Sequence, residues 1–160
     1  MSVYDPKRIS TPSRLRNRHP VSSLRKIVAF VGVPGSLIVA NNLASLLADR
    51  RTDKASLDRA NALALLLKNT DVPQFKDTLG WVSYQRQDYR TALPLLEDAA
   101  KALPNLALVR FHLGMAYLAT GQDDKASNEF NKARTLAPKD AELGAKIDGA
   151  LKSRPEKAKG

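Results

Sequence analysis

From residue 37 onward, apolar residues recur at i, i+3, i+4 and i+7, and turn signals interrupt them every dozen or so positions. No stretch alternates convincingly with period two. The pattern therefore predicts helices and no sheet, with one helix from about Gln74 to Arg86 and a second from about Tyr89 to Ala102. The pattern also repeats. Residues 79–104 align without a gap on residues 113–138, at an offset of 34. Leu79 falls on Leu113, Gly80 on Gly114, Ala92 on Ala126, Ala99 on Ala133 and Pro104 on Pro138.

Each unit reads as two antiparallel helices, A and B. Gly80 and Gly114 sit in the middle of the A helices, where glycine costs about 1 kcal/mol relative to alanine. That cost makes sense if the B helix crosses closely there. The alanine pairs 92/99 and 126/133 are seven residues apart on one face of each B helix and leave room for the partner. Pro104 and Pro138 stop the B helices. Asp88 and Asp123 are the expected N-caps of the B helices. Pro94, inside the first B helix, predicts a lost hydrogen bond or a kink.

These residues resemble the tetratricopeptide repeat, whose period is 34. The unit 107–140 matches at Leu113, Gly114, Tyr117, Gly121, Ala126, Phe130, Ala133 and Pro138. In the unit 73–106, Ser83 replaces the usual aromatic, Gln87 the turn glycine and Leu96 the aromatic of helix B. Lys76 and Arg110 stand at the family's first helix-A aromatic. A degenerate unit, 37–72, offers Leu43-Ala44 for Leu-Gly and Leu47 for the tyrosine. It carries about two extra residues, expected between Ala60 and Asp71. Residues 139–153 place Leu143, Ile147 and Leu151 on one stripe, as a capping helix requires. The resemblance implies an all-α fold, an α-solenoid of antiparallel helix pairs over residues 37–153, with about 2.5–3 units plus the C-terminal cap. Phrases such as NNLASLL, DTLGWVSY and FHLGMAYLATGQ resemble the final repeats of longer bacterial tetratricopeptide proteins.

Upstream, residues 27–40 form an apolar run of 14, short of the ~20 needed to span a bilayer and broken by Gly32, Pro34 and Gly35. A basic stretch followed by this run has the outline of a signal peptide, although the basic part is unusually long. Two readings of the start stand side by side: a natural tail, or a misassigned start on a remnant of a longer array.

Charge sharpens this division. The chain carries a formal +10. Residues 1–26 hold seven basic residues against Asp5 alone, a net +6, and residues 152–160 hold a net +3, leaving +1 for the body. Residues 1–36 and 154–160 are therefore expected to be disordered, basic ends. The absence of cysteine excludes disulfides, thiolate metal sites and cysteine nucleophiles. His19 and His112 have no second ligand at metal spacing, His112 reads as a partly buried surface residue, and no serine has an accompanying base. No catalysis, cofactor or metal is expected.

Arrays of this kind bind partners on the concave face lined by the A helices. The resemblance nominates Asn41 and Ser45, then Gln74, Asp77, Trp81, Tyr84 and Gln85, then Leu108, Phe111, Met115 and Leu118. Trp81, Tyr84, Phe111 and Met115 are expected to form an aromatic anchor for a partner helix or extended peptide, unless they pack the neighbouring helices. Asp77, Phe111 and Met115 occupy the places where the family's carboxylate clamp needs basic residues, so no such clamp is expected.

The leading expectation is a non-catalytic scaffold with a protein or peptide partner. The rival is an electrostatic binder of nucleic acid or anionic membrane through residues 1–26, where Tyr4 is the only aromatic for base stacking. Specific nucleic-acid binding and membrane contact are not expected. Self-association is compatible with an array this short, since about three repeats are needed for stability. The reading is cytoplasmic, with the cell envelope as the alternative.

Overall fold

The computed structural model describes residues 36–153. The leader and the tail that were expected to be disordered lie outside the described residues, except Ser36, which is buried at the start of the first helix. Among the described residues there are seven α-helices and no strand. α1 (Ser36–Arg50) pairs with α2 (Lys54–Ala64), which runs on into a 3-10 turn at Leu65–Leu67. α3 (Pro73–Gln85) pairs with α4 (Tyr89–Ala102), and α5 (Ala107–Ala119) with α6 (Asp123–Leu136). α7 (Ala141–Lys152) closes the stack. The A helices α1, α3 and α5 pack side by side with α7 after them, while each B helix packs on its own A helix and on the next. The result is an all-α helical-repeat solenoid.

The glycines set how closely each pair crosses. A Cβ at Gly80 would lie 2.8 Å from Leu96 Cγ, and one at Gly114 would lie 2.6 Å from Phe130 Cε1. Both distances are shorter than side-chain carbons tolerate, so the expected close approach is present. Ala92, Ala99, Ala126 and Ala133 are all fully buried on the B helices. Phe130, Leu96 and Ile147 are fully enclosed, and each such side chain contributes about 1.5–3 kcal/mol of burial. Leu143 and Ile147 of α7 join the same core as Phe130 and Ala133, with Leu151 partly buried against it, so the C-terminal stripe does cover the end of the array.

Three local expectations need correction. Asp88 caps α4, accepting from the Thr91 N–H at 3.2 Å, but Asp123 is not a cap. Gln122 holds that place because the repeat offset carries residue 88 to 122, and Asp123 begins the helix, where its charge suits the N-terminal end of the dipole. Asp53 and Asp140 cap α2 and α7, accepting from Ser56 and Leu143 at 2.9 Å each. The two extra residues of the first unit are divided. Asp53 follows Ala44 by nine positions, where Asp88 and Gln122 follow their glycines by eight; the next cap, Val72, follows Asp53 by nineteen, where Leu106 follows Asp88 by eighteen. Finally, Ala44 is buried at the crossing, but Leu43 is exposed, because none of the described residues packs against that side of α1.

Pro94 does not break α4, which continues to Ala102. Its ring lies on an exposed face, where solvent reaches the Arg90 carbonyl that has lost its N–H partner. Arg110, a departure from the family pattern, ties the loop before α5 to α6. Its Nε donates to the Pro104 carbonyl at 3.0 Å and its Nη1 to Glu129 at 3.0 Å. In the preceding unit Lys76 approaches Asp71 and Asp98 at 3.5 and 3.8 Å. Tyr117 donates its hydroxyl hydrogen to Glu97 of the preceding B helix at 2.8 Å.

The turns joining α3 to α4 and α5 to α6 each use one residue of left-handed backbone. Gly121 adopts φ 73° at no steric cost, whereas Gln87, 34 residues earlier, adopts φ 65° and bears a strained Cβ. Gln87→Gly is expected to raise stability by about 1 kcal/mol, seen as a higher urea midpoint with an unchanged slope. A lower midpoint would contradict the strain. A second expectation concerns pH. Burial first, then the Glu97 hydrogen bond and the Glu97 and Glu129 charges, push the Tyr117 phenol up to about 12 from its ordinary 10.0. The folded chain keeps a proton that the unfolded chain releases, so this contribution is intact below pH 10 and is lost as the pH rises through 12. Urea midpoints should therefore fall less in Tyr117→Phe than in the parent over that interval; equal falls would refute the assignment.

Candidate functional site

The A helices and the loop before α5 enclose a cavity of about 360 Å³. Asn41 and Ser45 of α1 line one side, and Gln74, Asp77 and Thr78 of α3 the next. Leu103, Leu106 and Leu108 line the third, with Ala107 and Val109. The Asn41 amide donates to Asn42 Oδ1 at 3.3 Å, while its own Oδ1 is buried without a partner among the described residues. A buried acceptor left unsatisfied costs about 1–3 kcal/mol. No Lys or Arg lines the cavity.

Below the cavity lies a polar-aromatic stack. His112 Nδ1 is 3.0 and 3.1 Å from the two Asp77 carboxylate oxygens, and its ring stacks on Trp81 with centroids 4.1 Å apart. Trp81 stacks in turn on Tyr84 at 4.9 Å, and its Nε1–H donates to Asp49 Oδ1 at 2.7 Å. Phe111 packs tilted against Trp81 and Phe130 at 6.1 and 6.0 Å. Burial raises the Tyr84 phenol above its ordinary value, with Tyr89 adding to the shift. An ionised carboxylate only accepts, so the Asp77 contact places the ring hydrogen on Nδ1. His112 Nε2 has no partner among the described residues.

This arrangement separates the nominated residues. Asn41 and Asp77 line the cavity, and Asp77 is itself buried against His112. Trp81 and Phe111 are core residues. Tyr84, Met115 and Leu118 are half-buried against the same core and lie outside the cavity wall. His112 is a correction, since it is 2% exposed rather than a surface residue. Asp77 and His112 are 35 residues apart, one more than the repeat, which sets them side by side on adjacent A helices. That spacing was the available signal for the pair. Nothing in the sequence marked the cavity walls supplied by Leu103 and Leu106.

Residues 83–147 match the model of the tetratricopeptide repeat family. The match supports a tetratricopeptide repeat family for this part of the chain. Tetratricopeptide repeats generally mediate protein–protein interaction and generally serve as non-catalytic scaffolds. No curated protein matches the chain. No helix among the described residues is long and apolar enough to cross a membrane, and no group of three or more His, Cys, Asp or Glu among them is placed to hold a metal.

Asp77→Ala strands the buried His112 Nδ1–H of this helical array and is expected to cost about 1–3 kcal/mol. Asp77→Leu combined with His112→Phe, which removes both partners, should cost less than the sum of the single changes. Urea unfolding followed through Trp81, the single tryptophan, measures both; additive losses would show that the pair is not coupled.

Proposed function

We propose that the protein is a non-catalytic scaffold that holds an internal, extended segment of a partner protein against its A-helix face. The observation that carries this reading is the open cavity between α1, α3 and α5, where Asn41, Ser45 and Gln74 line the same wall space as Leu103, Leu106 and Leu108. Such a wall of uncharged polar and leucine side chains suits a peptide that offers backbone hydrogen-bonding groups and an apolar side chain. The lack of a basic residue in the wall disfavours a C-terminal carboxylate, which needs cationic partners.

In this reading Asn41 is the polar contact. Asp77 is held by His112 and shapes the floor. Tyr84, Met115 and Leu118 extend the half-buried apolar surface along the A helices, while Trp81 and Phe111 hold that surface from beneath. The aromatic side chains thus act by stiffening the face, with Leu108 as the more exposed anchor.

The test compares quantitative affinity capture by the parent, by Asn41→Ala with Leu108→Asp, and by Lys101→Glu on α4. The groove pair should lose about tenfold of the recovered partner, in line with removal of an anchor worth 1–2 kcal/mol. Lys101→Glu should retain it. Capture that survives the groove changes while folding is intact by circular dichroism would reject this site.

A further inference from the structure

The two later units show what covers an A helix on the side of the preceding unit. In α5, Val109, Leu113 and Ala116 are buried, at 4%, 4% and 0% exposed, in one cluster with Ala92, Ala99 and Ala100 of α4. The crossing residue Ala44 lies 70 positions before Gly114. At the same offset, Val39, Leu43 and Leu46 of α1 correspond to Val109, Leu113 and Ala116. They are 51%, 43% and 56% exposed. This is the face on which a preceding B helix sits, and no described residue occupies it.

The chain just upstream carries the matching punctuation. Seventy positions before Ala99, Ala100, Leu103 and Pro104 stand Ala29, Phe30, Val33 and Pro34. Two small or apolar contacts, a terminal apolar residue and the helix-stopping proline thus recur in order. Pro20 falls at the second position of the corresponding helix, where proline's missing N–H is unneeded. One departure is Lys26 at the place of Leu96. Leu96 belongs to the same cluster as Val109 and Leu113 and also packs onto Gly80 of its own A helix.

We propose that residues 20–33 of this chain cover the Val39–Leu43–Leu46 face as the B helix of an additional N-terminal half-repeat. The apolar run at 27–33 is then a docking segment rather than part of a basic tail. The occupant is fixed by register: Ala29, Phe30 and Val33 face α1, whereas Val28 corresponds to the exposed Asp98 and faces solvent.

The full chain contains no cysteine, so single thiols can report on this face. Leu43→Cys and an exposed control, Ala119→Cys, are labelled with a maleimide at several protein concentrations. Docking predicts that Cys at position 43 reacts about tenfold or more slowly than the control, independent of concentration. Adding Phe30→Glu should restore the control rate, while Val28→Glu should leave the protection in place. Labelling of position 43 at the control rate in the parent chain would overturn the proposal. So would protection that disappears on dilution, which assigns the face to a second copy, or protection indifferent to Phe30→Glu.

Discussion

The array depends on one steric constraint: the crossing of each A helix with its B helix at a position that has almost no side chain. At Gly80 and Gly114 the facing Leu96 and Phe130 occupy the space a Cβ would need. Everything further out inherits that spacing. The alanines at 92, 99, 126 and 133 bring the B helices close enough to be enclosed, and the next A helix then rests on both. Glycine in mid-helix costs about 1 kcal/mol, less than the burial of a single Phe or Leu, so the exchange favours close packing.

The same constraint produces the candidate site. Because successive A helices lie side by side at a fixed offset, Asp77 on α3 meets His112 on α5, and Trp81 lies between His112 and Tyr84. The stack supports a floor above which α1, α3 and the loop before α5 leave a cavity. Two buried polar atoms there, Asn41 Oδ1 and His112 Nε2, have no partner among the described residues.

Much of the fold was legible because the repeat is written in small and helix-stopping residues. Glycine at the crossing, alanine on the B helix and proline at its end each answer a local steric demand, so their spacing carries over directly into structure. Less was legible where a tertiary neighbour decides. Trp81 and Phe111 have the chemistry of surface anchors, yet the neighbouring A helix and α6 enclose them. His112 looked isolated because its carboxylate partner lies in another unit. Leu43 matched the leucine of the repeat by position, but its exposure depends on what stands on the far side of α1.

Spacing along the chain, by itself, determined the helix pairs, their order, the close crossings and the covering stripe of α7. Those features depend on contacts within a unit or with the unit beside it, and 34-residue periodicity encodes both. The tertiary structure alone decided which polar groups are buried together and where a cavity opens, because these depend on side chains from three helices meeting at one height. It also showed that one face of α1 is apolar and left uncovered by the described residues. Periodicity is blind to that face, since a repeat records which neighbour it is built for, whereas exposure records which neighbour is in place.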